Sequence, residues 1–97
     1  MTDRFEWDEK KNASNLKKHG LSFDEASEIF NNPILTRVDD RADYSEVREI
    51  SYGIIGDLVV AAVVHTDRDG TIRIISARLA NKSERRLYYA YLEKALS

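Results

Sequence analysis

One histidine and two arginines stand where this sequence could carry out proton transfer and anion binding. His65 closes an apolar stretch, Arg73 lies in the middle of the segment that follows, and Arg78 ends that segment. A histidine exchanges a proton near neutral pH, because its pKa lies there. An arginine fork donates two hydrogen bonds to a phosphate and stabilises charge on its oxygens. These residue types suit metal-free RNA cleavage, in which a 2′-hydroxyl loses a proton and a 5′-oxygen gains one.

Each of these side chains also has a structural interpretation. His65 can be a buried histidine bonded to backbone, and Arg73 can be a solvent-facing strand residue. Arg78 can end its strand while pairing with an acid such as Glu84. Residue types alone therefore leave catalytic and structural roles open for all three.

A second set of candidates lies near the ends of predicted helices. Lys18 and His19 precede Gly20, which is also the pattern of an ordinary helix end. Arg85 can belong to a solvated helix face. Tyr89 can be a packing residue, although a tyrosine ring can also stack on a base.

Other chemistries have little support in the sequence. It contains no Walker loop, no GxGxxG, no HExxH and no nucleophile elbow. The absence of cysteine excludes disulfides and thiolate metal sites. The two histidines lie in distant segments, and no carboxylates are spaced to suggest that they share a metal. We expect no metal and no cofactor.

Charge is distributed unevenly along the chain. The formal net charge of −2 argues mildly against a nucleic-acid binder. Residues 39–49 hold five acids and two bases, whereas residues 65–86 hold six bases and three acids. A local positive face can therefore exist on an acidic protein, and the local field decides where a phosphate chain docks.

The first half of the chain predicts a short strand and two helices. Residues 5–7 alternate as a strand does, and Asp8 can cap a helix that ends at Gly20. Ser22 and Glu25 have capping-box spacing for a second helix, which Pro33 stops.

After Pro33 the apolar period changes to two. Strands are predicted over 34–39, 47–55, 58–66 and 71–78, with 58–66 central because it is almost wholly apolar. Asp69-Gly70 predicts a type I′ hairpin. With that turn His65 lies opposite Ile74, so His65 and Arg73 point to opposite faces unless a bulge intervenes. Asn81 or Ser83 caps a last helix, whose buried face is predicted to hold Leu87, Tyr88, Tyr91, Leu92 and Ala95.

The order β-α-α-β-β-β-β-α predicts one α+β domain over residues 1–97, an antiparallel meander with helices on one face. The N-terminus lacks an apolar stretch long enough for a signal peptide, and the longest apolar run is too short to span a bilayer. A cytoplasmic location is expected.

Two long phrases resemble the BrnT family of toxins from type II toxin–antitoxin systems. The first is FEWDEKKNASNLKKHGLSFDEA at residues 5–26, and the second is VVHTDRDGTIRIISARLANKSERRLYY at residues 63–89. Between them, Asp40-Arg41 and Tyr44 precede Glu46-Val47-Arg48 as in the family. The resemblance covers residues 5–90.

The resemblance implies a RelE-like fold, with a twisted antiparallel sheet, two preceding helices and a C-terminal helix. It implies metal-independent RNA cleavage that stops translation. It also implies a BrnA-like ribbon-helix-helix antitoxin, with which the toxin forms a 2:2 complex that represses operator DNA. The matching phrases place His65, Arg73 and Arg78 first as catalytic residues. They place Lys18, His19, Arg85 and Tyr89 as RNA-binding candidates.

The chain departs from the expected family pattern in its acidic net charge. That departure favours an alternative, in which the protein is a degenerate toxin that acts with its antitoxin as a binding module and co-repressor. A plain transcription factor finds no support, because no helix-turn-helix or basic strand ribbon stands out.

Overall fold

A computed structural model describes residues 4–40 and 46–96. The predicted polar connection after Asp40, with Arg41 and Tyr44 of the matching phrase, lies outside the described residues. The strands are β1 (Arg4–Glu6), β2 (Leu35–Val38), β3 (Glu49–Ile55), β4 (Val59–Arg68) and β5 (Thr71–Leu79). The helices are α1 (Glu9–His19), α2 (Phe23–Ala26), which continues as a 3₁₀ turn over Ser27–Asn31, and α3 (Lys82–Ala95).

The five strands form one sheet in the order β1-β5-β4-β3-β2. The predicted order of elements is confirmed, and β4 is central. The four strands of the meander are antiparallel, but β1 pairs with β5 in parallel. A parallel pair needs a long crossover, and the whole chain between β1 and β5 supplies it. No helix in the described ranges is long and apolar enough to cross a membrane.

The helix caps and the hairpin turn form at the residues that the sequence predicts. Asp8 accepts hydrogen bonds from the N–H groups of Lys10 and Lys11, and Gly20 ends α1 with a φ of +72°. Ser22 and Glu25 form a capping box at α2. Asn81, not Ser83, caps α3, because its side chain accepts the N–H of Glu84 while Glu84 bonds back to it. Asp69 and Gly70 both have positive φ, as a type I′ turn requires.

Helices cover both faces of the sheet, so the prediction of helices on one face is wrong. Strand β4 is buried on both sides because its apolar residues do not alternate with polar ones. Ala61 and Val63 pack under α2 and the 3₁₀ turn, in a cluster with Phe23. Val60, Ala62 and Val64 pack against Tyr88 of α3. We call these the α2 face and the α3 face.

Only a narrow stripe of α3 touches the sheet. Tyr88 is fully buried and Tyr91 and Leu92 are partly buried, but Leu87 and Ala95, predicted to be buried, are exposed. The buried stripe begins one turn earlier, at Glu84, because positions four apart lie on the same side of a helix.

A register shift between β4 and β5 decides where Arg78 lies. His65 pairs with Ile74 as the hairpin turn predicts, but Val64 then pairs with Ser76, so Ile75 is an extra residue. Beyond this bulge Arg78 lies opposite Ala62 on the α3 face. Arg73 pairs with Thr66 and also lies on the α3 face. Five positions separate Arg73 from Arg78, so in a regular strand the two side chains would point to opposite faces.

Candidate active site

The site begins with one buried side chain that attaches α1 to the edge of the sheet. Strand β1 pairs with Thr71–Arg73, and beyond that point the described residues give β5 no strand neighbour on this side. Asn15 takes the place of a neighbour: its Nδ2 donates to the carbonyl of Ala77 at 2.8 Å, and its Oδ1 accepts the N–H of Ala77 at 3.1 Å. The same Nδ2 donates to the carbonyl of Leu21 at 2.9 Å. The last turn of α1 is therefore fixed beside β5.

This attachment brings two charge-bearing segments into one cleft. Lys18 and His19 from the end of α1 face Ser76 and Arg78 of β5 across a cavity of about 290 Å³. Its apolar floor is formed by Ile50, Ala62 and Val64 of the α3 face, and Ala77 completes the lining. Two cations and an imidazole thus border a space large enough for a phosphate and part of a nucleotide.

The cleft continues along α1 as a shallower groove of about 180 Å³. Lys18, His19 and Ser76 line both spaces, and the groove adds Lys11 and Ser14. Lys11 and Lys18 are seven positions apart, which places them two turns apart on the same side of the helix. A basic strip therefore runs from the cleft along the helix.

Arg78 is held by an acid, as its structural interpretation predicts. Its Nη1 and Nη2 donate to the two carboxylate oxygens of Glu84 at 2.7 and 2.9 Å, while 38% of its side chain stays exposed. The hydrogen bonds from Arg78, with those from the Asn81 N–H and the Tyr52 hydroxyl, lower the pKa of Glu84 to about 2 although burial opposes them. Tyr52 responds in the opposite direction, since burial and the nearby Glu84 carboxylate raise the pKa of its hydroxyl.

Arg73 does not line the cleft. It lies on the same face as Arg78, but their β4 partners, Thr66 and Ala62, are four residues apart, a distance of roughly 13 Å along the strand. Its Nη1 donates to Glu6 of β1 at 3.2 Å, in a pair whose side chains are both about one third exposed or more. The structure therefore gives Arg73 a surface ion pair at the other end of the face.

His65 lies on the α2 face, on the opposite side of the sheet from both arginines. It is 3% exposed, and its Nε2 hydrogen-bonds with the Ser51 hydroxyl at 2.7 Å. Its Nδ1 hydrogen-bonds with Asp67 at 3.0 Å, and the ring meets Phe30 edge-on at 5.2 Å. The placement separates His65 from Arg73, as the hairpin register predicts, and the bulge in β5 places Arg78 on the other face as well.

The remaining two candidates lie on α3, outside the lining of the cleft. Arg85 donates from Nη1 to the carbonyl of Ala80 at 2.9 Å, next to the end of β5. Tyr89 is half exposed, and its hydroxyl donates to the carbonyl of Leu58 at 3.3 Å in the β3–β4 turn. Both are on the surface, and neither shares a contact with Lys18 or His19.

Sequence reasoning missed two residues that build the site. The only sign of Asn15 in the sequence is that a polar side chain stands beside Leu16 in a helix. Its partner on β5, Ala77, is 62 positions away, so the sequence does not show the contact. Ser76 gave none, because its face depends on the bulge. Among the described residues the one group that could hold a metal ion is Glu49, His65 and Asp67, which lies on the other face.

Comparison with known proteins places this geometry in a family. Residues 7–84 match the model of the family described as the ribonuclease toxin BrnT of type II toxin–antitoxin systems. That range includes Lys18, His19 and Arg78 but ends before Arg85 and Tyr89.

A solved structure agrees with the family match. The chain is similar to the ribonuclease toxin BrnT of Brucella abortus, known from a 1.1 Å crystal structure, with 28% identity and a TM-score of 0.63 over 84% of this chain and 100% of that one. No curated protein sequence matches the chain. Because the family model spans most of the chain and the fold agrees, this protein belongs to the BrnT family of ribonuclease toxins of type II toxin–antitoxin systems.

Proposed function

We propose that the cleft between α1 and β5 is the ribonuclease site, and that it cleaves RNA without a metal ion. The observation that carries the proposal is the convergence of Lys18, His19 and Arg78 on one cavity from two distant parts of the chain. Two cations and an imidazole that can exchange a proton are the side chains that phosphodiester cleavage needs.

The chemistry divides among the three side chains. His19 accepts the proton of the 2′-hydroxyl, whose oxygen attacks the adjacent phosphorus. The bond to the 5′-oxygen breaks, and that oxygen receives a proton from His19 or Lys18. Lys18 acts as a point charge and Arg78 as a planar fork for the phosphate oxygens. The products are a 2′,3′-cyclic phosphate and a 5′-hydroxyl.

The basic strip along α1 supports a path for the RNA chain. Lys11 continues the positive surface away from the cleft, so a second phosphate can bind there. The strip is short and the net charge is −2, which suits contact with a few nucleotides rather than a long duplex. Arg85 and Tyr89 lie away from this path and are candidates for contacts of a longer substrate.

For the cellular role we propose what the resemblance to the family implies. Cleavage of RNA in the cytoplasm stops translation, and a BrnA-like ribbon-helix-helix antitoxin neutralises the toxin. The two proteins form a 2:2 complex that binds operator DNA through the antitoxin and represses the operon.

A second candidate function is that of a degenerate toxin, which serves its antitoxin as a co-repressor. One observation favours it: Glu84 neutralises Arg78 with two hydrogen bonds, so a phosphate must compete for that fork. The two functions differ in whether the folded protein cleaves RNA.

Cleavage of a defined single-stranded RNA in excess chelator tests the proposal. We expect cleavage to persist and to leave cyclic phosphate ends. Lys18→Ala and Arg78→Ala should each reduce the rate by about 10²- to 10³-fold, the usual cost of removing one group that stabilises developing charge.

Two matched variants control for charge and for position. Lys17→Ala removes a neighbouring charge on the same helix, and Arg73→Ala removes an arginine from the same strand outside the cleft. Both should change the rate less than about threefold, in line with exposed charges away from a site. Equal losses in Lys17→Ala and Lys18→Ala, or loss of cleavage on chelation, would contradict the proposal. A folded wild type without cleavage would indicate the co-repressor.

A further inference from the structure

A group of metal-binding side chains is assembled on the α2 face by the pairing of β3 and β4. Glu49 lies directly opposite His65, and Asp67 follows His65 by two positions on the same strand. Opposite residues and residues two apart share one face of a sheet. The three side chains therefore point the same way, and their ligand atoms all lie within 4.8 Å of one another.

The imidazole is already held in the orientation of a metal ligand. Ser51 is fully buried, and its hydroxyl fixes Nε2 of His65 at 2.7 Å. That hydroxyl is itself held by Thr36 at 2.7 Å, and Phe30 packs against the ring edge-on. Nδ1 is the nitrogen that faces the acids, 3.0 Å from Asp67. Histidines that bind metals are commonly oriented in this manner, through a hydrogen bond at the other nitrogen.

No lysine or arginine in the described part of the chain pairs with either carboxylate. Glu49 is half-buried and forms no hydrogen bond or ion pair with any residue in the described ranges. Asp67 bonds to His65 alone among the described residues. Two carboxylates within 4.8 Å repel each other, and a cation between them would reverse that interaction.

We propose that Glu49, His65 and Asp67 bind a divalent transition-metal ion, with Zn²⁺ as the best match. One imidazole nitrogen and two carboxylate oxygens form a donor set that suits Zn²⁺ better than Mg²⁺, which prefers oxygen ligands and retained waters. Asp67 is 56% exposed on its side chain, so it can turn toward the ion and solvent can complete the coordination. On binding, the ion replaces the hydrogen bond between Nδ1 and Asp67.

The bound ion would cross-link β3 to β4 through the pair of Glu49 and His65. It lies on the opposite face from the cleft, so its role is to stabilise the fold and not to cleave RNA. The inference does not depend on the proposed function: chelation would lower thermal stability and leave cleavage intact below the melting temperature.

Thermal unfolding of the full chain with Zn²⁺ added after chelator treatment tests the site. We expect saturating Zn²⁺ to raise the Tm by at least about 5 °C. Glu49→Gln and Asp67→Asn should each remove most of the rise, since a neutral amide is a poor ligand. Asp57→Asn, an exposed acid in the β3–β4 turn at the other end of the strands, should keep it. No rise in the wild type, or equal loss in Asp57→Asn, would overturn the proposal.

Nuclear magnetic resonance of the histidine rings gives a second readout that needs no variant. The chain has two histidines, so paramagnetic Mn²⁺ or Co²⁺ reports which ring binds. We expect selective broadening or shift of the His65 ring resonances at substoichiometric metal. Effects confined to His19 would show adventitious binding in the cleft and would refute the site.

Discussion

The two faces of the sheet each hold one histidine, and the two histidines differ in almost every respect. His19 is exposed at the end of α1 and shares a cleft with Lys18 and Arg78. His65 is buried under Phe30, and both of its nitrogens are engaged by Ser51 and Asp67. The sequence makes both plausible for proton transfer, because both have the same side chain.

The difference shows that access decides which of two chemically equal groups can meet a substrate. A proton carrier must reach the reacting atom within hydrogen-bond distance, directly or through one water. His19 borders an open cavity with cations beside it. His65 does not line this cavity, and the hydroxyls of Ser51 and Thr36 hold its ring in place. We therefore expect function on the α3 face and stability on the α2 face.

Exchanging each histidine for asparagine tests this contrast and should give the largest effect. His19→Asn should lower the cleavage rate by about 10²- to 10⁴-fold, the usual contribution of a general acid or base, and change stability little. His65→Asn should lower the free energy of unfolding by about 1–3 kcal/mol, because it leaves buried polar groups without partners. Cleavage rates and urea unfolding of both variants are the measurements.

The opposite pattern would contradict this division of roles between the two histidines. If His65→Asn removed cleavage from a protein that remained folded while His19→Asn retained it, the catalytic assignment suggested by the family phrase would stand.

A smaller effect on cleavage is expected at the attachment of α1 to β5. Asn15→Ala removes two hydrogen bonds to Ala77 and one to Leu21 in a buried setting. The free energy of unfolding should fall by about 2–3 kcal/mol. Because the attachment also places Lys18 and His19, the KM for short RNA should rise in the folded fraction. Asn12→Ala is a matched control, since among the described residues this side chain bonds only to Glu9 of α1 and Phe23 of α2. It should cost stability without raising KM.

The smallest effect concerns Glu84 and acid pH. Its pKa is about 2 in the folded protein, below the usual value of 4.5, so the folded state favours the carboxylate. That stabilisation is complete above the unfolded-state pKa and disappears as the pH falls from about 5 toward 2. We expect the free energy of unfolding to fall by about 1–2 kcal/mol over this range, because solvent around the partly exposed Arg78 weakens its interaction with Glu84. Glu84→Gln should flatten that part of the stability curve, and a curve of unchanged slope would refute the assignment.

Local signals made much of the fold predictable from the sequence. The predicted caps and turn depend only on residues close in the chain, and all of them are confirmed: Asp8, Gly20, Ser22 with Glu25, and Asp69-Gly70. The Arg78–Glu84 pair is one of the interpretations that the sequence allows, because six positions separate the two residues across a strand end. The parallel pairing of β1, the position of α3 on the second face and the exposure of Leu87 were not predictable. They depend on contacts between distant segments.

The sequence holds the local patterns that set the order of the elements, their caps and the hairpin that places His65 opposite Ile74. It also held the two phrases by which the BrnT family is recognised. The tertiary structure alone decided which charged side chains meet. The bulge at Ile75 turns Arg78 to the α3 face, and Asn15 brings Lys18 and His19 to it across 62 positions. The physical reason is that caps and turns are short-range hydrogen bonds, whereas a site depends on strand register, in which one extra residue reverses every side chain beyond it.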